Sequence, residues 1–167
     1  MDNFTISRTF DAPRRLVFDC WVEPKHFEKW GLAPSGCTNR LLHADVRPGG
    51  YYHIEQKMSD GKAVFCRFDF QQISPIEQIV FVTSLCDEKA KIVKNPFFPD
   101  WPMKLLTTVN FEDDGNGTKL TVLWEPIEAT PAELAFFEKN MSIGHQGWSE
   151  TFDRLQKAIE AHELIIS

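Results

Sequence analysis

Residues 131–160 read PAELAFFEKNMSIGHQGWSETFDRLQKAIE, and this segment carries the strongest periodic pattern in the chain. Its apolar residues recur at intervals of three and four, as in an amphipathic helix that lays one face on a core. Thr130 precedes Pro131 as an N-cap, and Glu133 is placed to complete a capping box. The pattern predicts one long C-terminal helix. Its buried stripe comprises Leu134, Phe137, Met141, Gly144, Trp148, Phe152, Leu155 and Ile159.

Two glycines, Gly144 and Gly147, interrupt this helix where side chains are expected. Each costs about 1 kcal/mol relative to alanine in a helix interior. One interpretation is that another part of the chain packs against the bare backbone, or that the helix kinks there. The other is that the missing side chains leave space for a ligand beneath the helix. The sequence leaves both interpretations open.

The composition is that of a globular protein with an aromatic-rich interior. The 167 residues are 43% hydrophobic and 25% charged, and they include 14 Phe and 5 Trp. This length predicts a single domain, residues 1–167, large enough to enclose a cavity. The net charge of -6 offers no basic surface, which argues against nucleic acid or an anionic membrane as a partner. A small hydrophobic molecule is the partner that we expect.

The chain lacks the sequence signals of export, membrane insertion and metal binding. Residues 1–5 have neither the positive region nor the apolar run of a secretory signal, and no apolar stretch reaches 18 residues. The four cysteines, at positions 20, 37, 66 and 86, match no zinc or redox spacing. We therefore expect a cytoplasmic protein with reduced thiols, no metal and no cofactor.

The rest of the chain predicts mostly β structure. Alternation predicts a strand at residues 4–10, and a helical stripe starting near Pro13 is followed by a second short helix at 24–30. A period of two with dense turn chemistry then indicates an antiparallel meander. Its predicted strands are 39–46, 50–58, 63–73, 77–85, 103–112 and 118–126.

One connection in the meander is long. Residues 95–102, NPFFPDWP, hold three prolines and three aromatics. Prolines keep such a segment out of regular structure, and its aromatics must fold back over something to be buried. They either plug the end of the core or form a lid over a cavity. Elsewhere in the meander, alternation places Tyr52 and Phe68 inward and leaves His53 and Glu55 in solvent.

A series of short motifs carries a family resemblance across residues 4 to 160. The motifs are DAPRRLVF at 11–18, Trp30, RPGGYY at 47–52, DG at 60–61, GTKLT at 117–121 and HQGW at 145–148. In this order they resemble the Hsp90-ATPase-activator-homologue family of the START/Bet v 1-like helix-grip superfamily. Two positions depart from the usual pattern, since Gln146 stands where relatives often carry Glu and Phe68 where glycine is common.

The resemblance implies an α+β helix-grip fold. A curved seven-stranded antiparallel sheet would wrap around the long C-terminal helix, with two short helices following the first strand. In this fold the long helix covers a cavity, and the superfamily includes lipid and hormone carriers, polyketide cyclases and co-chaperone domains. Our leading hypothesis is that a small hydrophobic or aromatic molecule binds between sheet and helix. The predicted lining comprises Trp30, Tyr52, Phe68, Phe97, Phe98, Trp101, Gly144, His145 and Trp148.

Two other functions stay open. The first is an enzyme of cyclase, lyase or hydrolase type that uses His145 as acid or base, since imidazole titrates near neutrality. The second is a module that binds a protein partner, as Hsp90 co-chaperones do. The sequence does not fix the oligomeric state, and a homodimer is one of the options.

Overall fold

The computed structural model describes residues 4–31 and 36–166, which form seven strands and four helices. The elements in chain order are β1 (Phe4–Phe10), α1 (Arg14–Val22), α2 (Pro24–Trp30), β2 (Thr38–Ala44), β3 (Tyr51–Lys57), β4 (Ala63–Ser74), β5 (Gln78–Cys86), β6 (Leu105–Asp114), β7 (Gly117–Pro126), α3 (Pro131–Lys139) and α4 (Met141–Ile166). This is the predicted α+β helix-grip arrangement, a curved sheet with a long C-terminal helix. The predicted strands agree with the observed ones to within two residues at each end.

All seven strands belong to one antiparallel sheet, in the order β1-β7-β6-β5-β4-β3-β2. Strands β2 to β7 follow one another as neighbours, and β1 pairs with β7 at the far edge, where Phe4 lies opposite Trp124. Because directly paired residues share a face, the register carries one row of inward side chains across the sheet. Phe81, Thr107 and Trp124 belong to that row.

The core lies between the inner face of this sheet and the helices. The buried stripe of α4 includes Trp148, Phe152, Leu155 and Ile159, each at most 3% exposed. Phe152 meets Phe10 of β1 edge to face at 5.9 Å. The predicted stripe in this half of the segment is therefore confirmed.

The C-terminal segment is divided at Asn140, so the prediction of one helix from residue 131 is wrong. Asn140 adopts φ -117° and ψ 28°, outside helical geometry, and its side-chain amide donates to the carbonyl of Phe136 at 2.8 Å. An asparagine side chain that bonds its own backbone competes with helix continuation. The predicted capping box is present at the start of α3: the backbone N–H of Glu133 donates to the Thr130 hydroxyl at 3.1 Å, and the Glu133 carboxylate accepts from the backbone N–H of Thr130 at 2.8 Å.

The outer face of the sheet is also covered in one place, which corrects the prediction that His53 is solvated. His53 is 6% exposed, and its Nε2 lies 3.1 Å from the carbonyl oxygen of Asp87. The segment after β5 folds back here. Arg67 fixes it, since its guanidinium pairs with Asp69 at 2.6 Å and donates to the carbonyl of Ala90 at 2.7 Å. Alternation identifies the two faces of a strand but not what later packs on them.

Candidate ligand-binding cavity

A cavity lies where β5 changes its neighbour in the sheet. β5 pairs with β6 as far as Thr83, which faces Leu105. Beyond that point the carbonyl of Leu85 accepts instead from the backbone N–H of Val93, at 3.0 Å. The sheet therefore has a gap beside Ser84, and a cavity of about 180 Å³ that is partly open to solvent occupies this place.

The walls of this cavity are mainly apolar. The inner face of the sheet forms one wall of the cavity, and residues of the long 87–104 connection form the opposite wall. The apolar lining residues are Phe68, Leu85, Val93, Trp101, Pro102, Met103, Leu105 and Trp124. An engineered apolar cavity of about 150 Å³ is known to hold benzene. The volume here therefore suits a molecule with about one aromatic ring.

A chain of hydrogen bonds runs along the cavity floor. The indole Nε1 of Trp124 donates to Thr107 Oγ1 at 2.9 Å, and Thr107 Oγ1 lies 2.8 Å from Thr83 Oγ1. Thr107 also donates to the carbonyl of Leu105 at 3.2 Å. Thr107 is fully buried, whereas Thr83 lines the cavity. Thr83 is thus the residue through which these hydrogen bonds reach the cavity.

Four further polar residues line the cavity. The side chain of Gln56 is buried on the inner face of β3, as alternation predicts. The Asn95 amide oxygen accepts from the backbone N–H groups of Phe97 and Phe98 at 2.9 and 3.0 Å. The Ser84 hydroxyl is buried and has no partner in the part of the chain that the structure describes. Cys66 is the fourth.

The proline-rich 95–102 segment contributes one aromatic ring to the cavity. Trp101 lines it and packs against Trp124, with ring centroids 6.0 Å apart, and against Phe137 of α3 at 5.5 Å. Phe97 and Phe98 point away, with exposed fractions of 71% and 41%. Trp101 therefore anchors the segment, and the other two predicted lining aromatics are on its surface.

Of the other predicted lining residues, only Phe68 reaches the cavity. Its ring stacks on Phe81 at 4.4 Å and closes the middle of the inner face. Trp30, Tyr52 and Trp148 are buried in the hydrophobic core and do not line this cavity. The indole N–H of Trp30 donates to the carbonyl of Cys20 at 2.9 Å. The hydroxyl of Tyr52 donates to the backbone carbonyl of Trp21 at 2.8 Å. The ring of Trp148 stacks on that of Trp21 at 6.2 Å.

The space expected beneath Gly144 is filled by aromatic rings. A Cβ at this position would lie 2.8 Å from Cε2 of Phe4 and 3.1 Å from Cζ3 of Trp124. Close packing against the bare backbone is therefore the interpretation that the structure favours. A Cβ at Gly147 would meet nothing within 4 Å, because this residue faces solvent. Neither glycine lines the cavity.

The structure also places His145 outside the cavity. Its side chain is exposed, and its ring lies on that of Phe4 with centroids 4.4 Å apart. The imidazole, predicted to lie at a cavity wall, is therefore not part of the cavity beside Ser84. Residue 145 follows the buried Gly144 by one position, and neighbours on a helix point about 100° apart.

The described residues offer few groups for metal binding or nucleophilic chemistry. They hold no group of three or more His, Cys, Asp or Glu side chains arranged for a metal. None of their helices combines the length and hydropathy of a membrane span. The cysteines are free, and burial raises the pKa of both Cys20 and Cys66 to about 12. These two thiols therefore stay protonated at neutral pH and are weak nucleophiles.

The model of the family described as Activator of Hsp90 ATPase homolog 1-like protein matches residues 11–160. The chain belongs to this family. Solved structures share its fold at low identity. A protein from Arthrobacter aurescens is 20% identical with a TM-score of 0.79, over 95% of this chain and 86% of that one. No curated protein matches the chain.

Two further neighbours extend the comparison within the same fold. Protein Ms6760 from Mycobacterium smegmatis is 18% identical with a TM-score of 0.72, covering 92% of this chain and 87% of that one. Protein NE0264 from Nitrosomonas europaea is 18% identical with a TM-score of 0.73, covering 97% and 98%. At this identity the likeness establishes the helix-grip fold, and function must be argued from the cavity.

Proposed function

We propose that this member of the Hsp90-activator-homologue family binds a small apolar molecule in the cavity beside Ser84. The observation that carries the proposal is the partly open cavity of about 180 Å³ between the sheet and Trp101. A concave, mostly apolar site with a few polar groups is the usual form of a small-molecule site. Binding of hydrophobic ligands is also common in this fold superfamily, which supports the assignment by analogy.

The cavity volume sets the size and affinity of the expected ligand. A molecule of one ring buries its apolar surface against Phe68, Leu105 and Trp101. Ligands this small have few atoms to contribute, and we expect dissociation constants between about 1 µM and 1 mM. Toluene is a suitable first probe because it has no polar group.

The test is a titration with toluene followed by tryptophan fluorescence and thermal unfolding. Trp101 and Trp124 both line the cavity, so occupancy should give a saturable change in emission. At a concentration ten times the dissociation constant, the ligand stabilises the folded state by about 1.4 kcal/mol. For a chain of this length that corresponds to a rise in Tm of about 3–6 °C.

A matched pair of variants locates the binding site. Val93 lines the cavity, whereas its neighbour Ile92 does not. Val93→Phe should fill the space and weaken toluene binding at least tenfold, and Ile92→Phe should leave it within twofold. Binding that survives Val93→Phe, or that Ile92→Phe weakens equally, would contradict this site.

The alternative functions receive less support from the geometry. His145 lies outside the cavity, so it gives no support to an enzyme that uses this imidazole on a ligand bound there. An interaction with Hsp90, suggested by the family name, stays a prediction, as do a homodimer and a cytoplasmic location.

A further inference from the structure

We propose that Thr83 makes the cavity selective for apolar molecules that carry an O–H or N–H group. This inference rests on the proposed function and specifies the chemical class of the ligand. It follows from the direction of the hydrogen bonds on the cavity floor. Phenols and anilines belong to the favoured class, whereas ethers and plain hydrocarbons do not.

The position of each proton follows when all three bonds of Thr107 form together. A threonine hydroxyl has one proton and two lone pairs. The indole N–H of Trp124 only donates, so it takes one lone pair of Thr107 Oγ1 at 2.9 Å. The carbonyl of Leu105 only accepts, so it takes the single Thr107 proton at 3.2 Å.

Thr83 must then donate its proton to Thr107, across 2.8 Å, for all three bonds to be made at once. Its oxygen is left with lone pairs and no proton. Toward the cavity Thr83 therefore acts only as an acceptor. A ligand O–H or N–H can satisfy that acceptor, while an ether oxygen would bring its own lone pairs against it.

The position of Thr83 suits a ring with one donor. It lies opposite both Phe68 of β4 and Leu105 of β6 in the sheet register, so its hydroxyl is flanked by apolar walls. In such surroundings, leaving an acceptor without a donor costs free energy. The amide oxygen of Asn95 already accepts two backbone N–H groups, and Ser84 pairs with Arg67 on the opposite face of β5, which leaves Thr83 as the hydroxyl acceptor on the inner face.

The experiment compares phenol, toluene and anisole in the wild-type protein and in Thr83→Val. Valine keeps the shape of threonine and removes the oxygen. Thr83→Val should weaken phenol binding about fivefold, the value of one net hydrogen bond. It should not weaken the binding of toluene or anisole, because neither ligand then faces an acceptor that it cannot satisfy. Thr108→Val is the matched control, because Thr108 lies one position after Thr107 on the opposite face of β6. It should change none of the three affinities.

The outcomes separate this inference from the proposed function. If all three probes bind in competition with one another but Thr83→Val changes their affinities equally, the selectivity is refuted and the cavity assignment stands. A selective loss of anisole binding would refute the acceptor assignment. If none of the probes binds the wild-type protein, both proposals fail. Urea unfolding of each variant verifies that any lost binding is not lost folding.

Discussion

The two glycines of α4 provide a test of the packing that the structure shows. Gly144 and Gly147 lie three residues apart in the same helix, and each can be replaced by alanine. A Cβ at Gly147 meets open space, whereas a Cβ at Gly144 would lie 2.8 Å from the ring of Phe4. The helix-propensity gain is the same at both positions, so the difference between the variants isolates the steric contact.

The two variants should differ in stability. Gly147→Ala should stabilise the protein by about 1 kcal/mol, the propensity difference between glycine and alanine. Gly144→Ala gains the same amount but overpacks the core, which costs about 1–3 kcal/mol. Phe4 is 1% exposed and a second contact, Trp124 at 3.1 Å, limits its movement. Gly144→Ala should therefore be less stable than Gly147→Ala by about 1–3 kcal/mol.

The assay is urea unfolding of both variants and the wild type, followed by circular dichroism. Thermal unfolding should show the same order, with a gap of about 2–4 °C for each kcal/mol. If Gly144→Ala stabilises the protein as much as Gly147→Ala, no ring lies against Gly144. The space beneath the helix would then be open, as the ligand interpretation of the sequence requires.

Two further predictions concern the outer face and the buried thiols. Arg67→Met removes the ion pair with Asp69 and the hydrogen bond to the Ala90 carbonyl, so it should lower the free energy of unfolding in urea by about 1–2 kcal/mol. It should also speed tryptic cleavage in the 87–91 segment. Arg47→Met removes an exposed ion pair and should have neither effect. Equal effects of the two variants would contradict the covered outer face. The free energy of unfolding should also fall as pH rises from about 9 towards 12, because the unfolded chain releases thiol protons that Cys20 and Cys66 retain in the folded protein. The Cys20→Ala/Cys66→Ala double variant should show a shallower decline between pH 9 and 11. An unchanged slope would contradict it.

Most of the fold could be predicted from the sequence because its signals are local. Strand β1 and helix α2 have the predicted bounds, 4–10 and 24–30, since alternation, prolines and turn glycines mark their ends. The break at Asn140 was not predictable from periodicity. It depends on one side chain that bonds the carbonyl of Phe136, inside a segment whose apolar spacing continues on either side.

The candidate site was predicted less well because it depends on contacts that are distant in sequence. Of the residues that the sequence proposed for a ligand site, Phe68 and Trp101 line the cavity beside Ser84. Thr83 has no motif that distinguishes it, and the role that we propose for it depends on its place as the last residue of β5 that pairs with β6. The sequence left open whether the space beside Gly144 is filled, because the ring that fills it, Phe4, comes from the opposite end of the chain.

The most direct test of the central claim is a crystal structure of the protein soaked with 4-bromophenol. Bromine scatters anomalously, so the position of the ligand can be read independently of model building. We predict an anomalous peak in the cavity lined by Phe68, Leu105 and Trp101, with the phenol oxygen within hydrogen-bonding distance of Thr83 Oγ1. An empty cavity at a saturating concentration, or a peak between Gly144 and the sheet, would contradict the account.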